Sequence, residues 1–293
     1  MKCSIICGVL TLVFIGTFAA AVLPSENSPK TWPCPVDAEF LPCICISDPS
    51  TFIIDLDCND AKTETDLAAA FNAEFPFPDV HSLTIDQSSC QDCNLISISQ
   101  ATFGPVSFEL VTIRNTDIET VGEETFGNSH GTLIELRMSN NKLKKFPIEA
   151  LYSYSALTGL YLDGNQFDES TIIANIESDT LEVLDLSYNP KLSFDSASVV
   201  ENCPNIKEVY FIDGLMYDVP IHVTEPIGMF TGLQNIGIVS FKSNHISELQ
   251  SDTIVADQST FKSVDLSYNE ITNVRENFVT GTVPEMSFLK MWL

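Results

Sequence analysis

Two cysteines three residues apart, in Cys90-Gln91-Asp92-Cys93, have the type and spacing that most directly suggest chemistry. A C-x-x-C pair can cycle between dithiol and disulfide, or supply half of a tetrahedral zinc site. The redox use needs a helix start beside a βαβ unit, and the zinc use needs a second pair. Neither accompanies it, so a structural disulfide or a pair of buried thiols is favoured. The four histidines, His81, His130, His222 and His245, fall far apart, with no two at helix spacing. No H-E-x-x-H, G-x-S-x-G, P-loop or G-x-G-x-x-G sequence occurs. Carboxylate pairs are plentiful, but among 40 Asp and Glu they single out no acid–base couple. The sequence offers no catalytic residue, no metal set and no cofactor loop, and it reads as non-enzymatic.

The chain has 293 residues, 44% of them hydrophobic, enough for one continuous core. Its 14 Lys and Arg against 40 acidic residues give a formal charge of -26. Such a surface repels phosphate backbones and anionic lipid, and suits basic proteins, cations, or solubility alone. The first residues read as a leader. Lys2 precedes an apolar run from Ile5 to Ile15, and Ala19-Ala20-Ala21 offers a cleavage site. Losing residues 1–21 removes one charged residue, Lys2, and leaves 13 − 40 = -27. The expectation is a secreted, extracellular protein with no membrane insertion once the leader is gone.

Any functional surface must be positioned by a repeat. The pattern L-x-x-L-x-L-x-x-N-x-L, with any apolar residue at L, is met by Leu133, Leu136, Met138, Asn141 and Leu143. It recurs at Leu157, Leu160, Leu162, Asn165, Phe167, and again from Ile236 with Asn244 and from Phe261 with Asn269. From Leu181 it carries Asn189, and Pro190 displaces the last apolar residue to Leu192. Weaker copies start at Val80, Phe108 and Ile206, with Ser88, Thr116 and Gly214 at the asparagine slot and Met216 ending the last. The steps between starts are 28, 25, 24, 24, 25, 30 and 25 residues.

Each x-L-x-L-x segment predicts a short strand with side chains alternating in and out. One repeat cannot cover its own apolar face, so neighbours stack and the strands form a parallel sheet on an inner curve. The asparagine turns inward and satisfies turn backbone groups; Thr, Ser and Gly satisfy fewer, so those turns are expected to be looser. A further inward slot holds Val121, Phe146, Val219, Leu249 and Val274, and Phe103, Phe126, Phe230 and Phe278 are expected to fill the outer half. Counted from Val80, Cys90 takes the last apolar slot and Cys93 the next inward one, which points both into the core. Cys203 is expected to be a buried free thiol or a bridge to another chain.

These repeats resemble the extracellular leucine-rich-repeat family over residues 80–293. Cys34, Cys43-Ile44-Cys45 and Cys58 resemble that family's cysteine-rich N-terminal cap within 22–79. Four cysteines alone leave three connectivities open. The resemblance implies first with third and second with fourth, Cys34–Cys45 and Cys43–Cys58. It also implies an α/β-type repeat solenoid. That is a horseshoe with a parallel concave sheet, an irregular or short-helical convex side and a disulfide N-terminal cap. Trp32-Pro33-Cys34-Pro35, the acidity and the 24–30-residue steps are similar to arthropod secreted repeat proteins related to a non-catalytic luciferase subunit. About eight repeats occupy 80–285. Residues 286–293, with Met286, Leu289 and Met291, begin an incomplete and uncapped ninth, which suggests a truncated chain or end-to-end association.

On the concave side, Thr84, Thr112, Arg137, Tyr161, Asp185, Tyr210, Ser240 and Asp265 lie between core residues. Beyond the second core residue come Asp86, Arg114, Ser139, Asp163, Ser187, Ile212, Lys242 and Ser267. A third row holds Gln87, Asn115, Asn140, Gly164, Tyr188, Asp213, Ser243 and Tyr268. The candidate binding patch is Tyr161, Tyr188, Tyr210 and Ile212 beside Asp163, Asp185 and Asp213, because rigid aromatics anchor interfaces. Arg114 and Arg137 are expected to stack as a small basic island. The leading expectation is a secreted protein that binds another protein through this face. The alternatives are a non-catalytic accessory subunit of a secreted enzyme, and a fragment of a receptor ectodomain.

Overall fold

The computed structural model describes residues 33–167, 176–192, 200, 202–214, 235–249, 251, 254–255, 262–280 and 289–290. The leader, Trp32, Met216, Val219, His222, Phe230, Phe261, Met286 and Met291 lie outside the described residues.

The described residues form one sheet of eleven strands whose spatial order follows the chain. They are β1 (Ile44–Ser47), β2 (Ile54–Asp57), β3 (Asp79–Asp86), β4 (Ser107–Arg114), β5 (Glu135–Arg137) and β6 (Gly159–Tyr161). Then come β7 (Val183–Asp185), β8 (Glu208–Tyr210), β9 (Ile238–Ser240), β10 (Ser263–Asp265) and β11 (Leu289–Lys290). β1 and β2 pair antiparallel, and every later pairing is parallel. Leu56, Leu83, Val111, Leu136, Leu160, Leu184, Val209, Val239 and Val264 stand in one register across the sheet, all buried. This column is the spine of the core, and the residues on either side of each member face outward, as period-2 alternation requires.

The asparagines stitch one repeat to the one before. Asn165 accepts a hydrogen bond from the Leu143 N–H at 3.1 Å and donates to the carbonyls of Met138 and Leu162 at 2.8 and 2.9 Å. Asn244 accepts from the Gly214 N–H at 3.1 Å and donates to the Phe211 carbonyl at 2.7 Å. The Thr116 and Gly214 turns are therefore held from the following repeat: Asn141 takes both the N–H and the hydroxyl of Thr116. They are not left loose, because the asparagine of the next repeat accepts the turn N–H in each. The residue just before each asparagine slot turns left-handed: Asn115, Asn140, Gly164, Tyr188, Asp213, Ser243 and Tyr268 have φ between +54° and +67°. Glycine fits this turn without adjustment, since a Cβ at Gly164 would meet the Asn140 side-chain oxygen and lie 3.1 Å from the Asn140 Cα, forcing Asn140 to shift.

The cap carries two disulfides, Cys34–Cys45 and Cys43–Cys58, with Cα atoms 5.8 and 4.2 Å apart. The helix α1 (Asp37–Phe40) lays Phe40 against Phe71 and Phe75, with ring centroids 5.6 and 5.4 Å away. The helix α2 (Glu64–Ala70) starts on a capping box between Thr63 and Asp66 and buries Leu67 and Ala70. Together they cover the apolar flank that the first repeat would otherwise expose. Phe103 and Phe126 are buried and stacked at 5.6 Å, as the pattern predicts for the outer half of the core.

Three expectations are corrected. Cys90 and Cys93 are joined in a disulfide, but both are half-exposed, and the core slots after β3 are filled by Leu95 and Ile98. The turn after β3 is lengthened, so counting from Val80 stops short of the true slots, and the disulfide closes the extra loop at the surface. Gln87 does not face solvent. The backbone there is not left-handed, and the buried side chain donates to the Ala61 carbonyl at 2.7 Å. Val274 is in register with buried Leu249 but is 43% exposed, at the edge of a two-stranded ladder.

Candidate protein-binding face

Strand register sets the site. Arg137, Tyr161, Asp185 and Tyr210 are direct cross-strand neighbours on β5, β6, β7 and β8. Adjacent strands are ~4.8 Å apart, so the four side chains make one continuous row. Two residues earlier on the same strands, and so on the same side, lie Glu135, Gly159, Val183 and Glu208.

The rows interlock. The Arg137 Nε donates to Glu135 Oε1 at 2.5 Å, and its guanidinium carbon sits 3.6 Å from the Tyr161 ring centroid. A Cβ on Gly159 would lie 3.0 Å from the Tyr161 ring and 3.4 Å from Glu135, so the glycine leaves the space this ring occupies. The Tyr210 hydroxyl donates to Glu208 Oε2 at 2.8 Å. Asp163 accepts from the Ser139 hydroxyl at 2.6 Å, and Asp185 from the Ser187 N–H at 2.9 Å.

Burial pushes the Asp185 carboxyl above its ordinary value, with Asp163 adding to the effect and Ser187 and Arg137 opposing it. Burial also raises the Tyr210 phenol, helped by Glu208, and the Tyr161 phenol, against the pull of Arg137. The phenols therefore stay neutral hydrogen-bond donors, and an arriving cation would relieve the carboxylates. The arrangement can hold a cationic or donor-rich surface; it presents no activated nucleophile.

Of the expected residues, Arg137, Tyr161, Asp185 and Tyr210 are brought into one row, with Asp163 and Ile212 two residues further along. Tyr188 and Asp213 sit in the left-handed turns at the strand ends, both exposed. Arg114 stands apart on β4 and is bonded to Asp86 at 2.8 Å. Burial opposes ionisation of Asp86, but Asn115, Ser88 and Arg114 hold its carboxyl down at about 2. The expected basic island is thus not a free one, since each arginine is already engaged by a carboxylate. Glu135 and Glu208 were missed because only positions between and after the core residues were read. The same alternation applied one residue earlier finds them. Among the described residues, no group of three or more His, Cys, Asp or Glu could hold a metal ion. Among the described residues, no helix is long and apolar enough to cross a membrane.

The fold, its asparagine stitching and its two cap disulfides define a leucine-rich-repeat solenoid with a parallel sheet and few helices. Among characterised proteins, the chain is 27% identical over 181 residues to the oplophorus-luciferin 2-monooxygenase non-catalytic subunit of Oplophorus gracilirostris, which is 61% of this chain and 48% of that one. It is 29% identical over 147 residues to fibromodulin of Oryctolagus cuniculus, 49% of this chain and 90% of that sequence. The chain thus spans about half the length of the first of these relatives. A chain of the Toll–Spätzle complex of Drosophila superposes with a TM-score of 0.51 at 17% identity, covering 66% of this chain and 25% of that one. At that identity the likeness is one of fold. No protein-family model matches the sequence.

Proposed function

We propose that this is a secreted, non-enzymatic leucine-rich-repeat protein that binds a basic protein through the open, concave face of its sheet. The observation that carries the reading is the register that sets Arg137, Tyr161, Asp185 and Tyr210 in one row above Glu135 and Glu208. Two aromatic rings and several carboxylates on a rigid sheet supply area and charge complementarity at little cost in side-chain entropy. Three disulfides fit an oxidising compartment, in keeping with residues 1–21 as a leader. In this reading 22–79 is an N-terminal tail and cysteine-rich cap, and the about eight repeats of 80–285 are the binding array. A neighbour of the same fold is known from a complex with another protein.

A second reading, a non-catalytic accessory subunit of a secreted enzyme, is favoured by likeness to a relative that carries that description. Both readings place a protein on the same face. The test immobilises three forms of the whole protein and exposes them to the secretion of the source tissue. Asp185→Asn with Glu208→Gln should lose a species that the parent retains. Tyr152→Ala, an exposed change in the turn Ile148–Ser153 outside the sheet, should keep it. Equal retention by all three forms would refute binding through the sheet.

A further inference from the structure

The left-handed turn before each asparagine slot is cheapest for glycine or asparagine, as at Gly164 and Asn140. Tyr188 adopts it at φ +57° and is nonetheless 53% exposed, so burial within the chain does not offset the strain. The backbone is held there by the ladder, with Gly164 N–H donating to the Ser187 carbonyl at 2.9 Å and Tyr188 N–H to the Ile212 carbonyl at 2.5 Å. A strained, exposed aromatic that the scaffold forces into place is a reason to look for a ligand.

The same face shows what such a ring receives. Two rows away the Arg137 guanidinium lies 3.6 Å from the Tyr161 ring while bonded to Glu135, whereas at Tyr268, in the turn equivalent to that of Tyr188, the Lys242 ammonium stays 5.2 Å from the ring centroid. Tyr188 is flanked differently: the exposed Asp213 occupies the next turn, and Gly164 in the preceding turn has no side chain to cover the ring. A planar, weakly hydrated guanidinium stacks on an aromatic face while bonding a carboxylate, and an ammonium does so less well. We propose that Tyr188 and Asp213 form the seat for an arginine side chain of the protein partner. The seat rests on the sheet-face reading and gives that partner a chemical identity.

The test uses the whole chain and two synthetic peptides of equal length and charge, a Gly-Arg repeat and a Gly-Lys repeat, by calorimetry at about 0.15 M salt. The parent should bind the arginine peptide about three- to fivefold more tightly than the lysine peptide. Tyr188→Asn should erase that advantage, leave the lysine peptide unchanged, and melt no lower than the parent because asparagine suits the turn. Tyr188→Phe, which keeps the ring, should retain the advantage. Equal affinities in the parent, or an advantage that survives Tyr188→Asn, would overturn the seat. If that happens while Asp185→Asn with Glu208→Gln still releases the native partner, the face reading stands and the seat alone falls.

Discussion

Asn189→Ala should lower the unfolding free energy by about 3–5 kcal/mol, read as a shift of the denaturant midpoint. Asn189 is fully buried, at 0% exposure. Its carbonyl accepts from the Phe167 N–H at 3.3 Å, and its amide donates to the carbonyls of Leu162 and Leu186 at 3.2 and 2.9 Å. Alanine leaves the Phe167 N–H and the Leu186 carbonyl without these partners, at about 1–3 kcal/mol for each group left unsatisfied, while the Leu162 carbonyl keeps Asn165. Because each repeat of a solenoid contacts its neighbours alone, the damage should stay local. Amide exchange should quicken around β6 and β7 while the cap keeps its protection. Uniform loss of protection along the chain would show that the asparagines are not the local links described.

The cap supplies the second large effect. Replacing Cys43 and Cys58 together by alanine should cost about 3 kcal/mol. The bridge closes a separation of 15 residues, and both cysteines are buried among Phe40, Leu56 and the rest of the core cluster. Cys43 and Cys58 flank the paired ends Ile44 and Asp57 of the antiparallel β1–β2 hairpin, so without the bridge β1 is free to leave β2 and uncover the cap core. Replacing Cys90 and Cys93 should have a much smaller effect, because they are three residues apart and half-exposed. Thermal unfolding of the two double variants side by side checks the contrast; equal losses would refute it.

Most of the scaffold was legible from residue types at fixed spacing. Leu160, Leu184 and Val209 announce themselves because every repeat must bury the same positions, and Asn165 and Asn189 because one amide can bond two repeats. The pairing of the cap cysteines was legible through family resemblance, since four cysteines alone leave it open. Reading failed where the period was broken. The lengthened turn after β3 moved Cys90 and Cys93 out of the core, and Gln87 turned inward because its backbone does not take the left-handed form. At the candidate site the pattern gave the row but not its contacts. Spacing says that Arg137 and Tyr161 are neighbours; it does not say that a guanidinium covers the ring, because Glu135 draws it there. Nor does it show that Tyr188 sits in a strained turn, although the Asn and Gly at equivalent positions were a sign that the slot wants φ > 0.

The most direct measurement is zero-length carbodiimide cross-linking of the native protein with whatever it co-purifies with, read by mass spectrometry. A basic partner on the sheet should link its lysines to Asp163, Asp185, Glu208 and Asp213, and those links should fall away in Asp185→Asn with Glu208→Gln. Links confined to carboxylates away from the sheet strands, such as Glu123, Glu124 and Glu149, would contradict binding through this face.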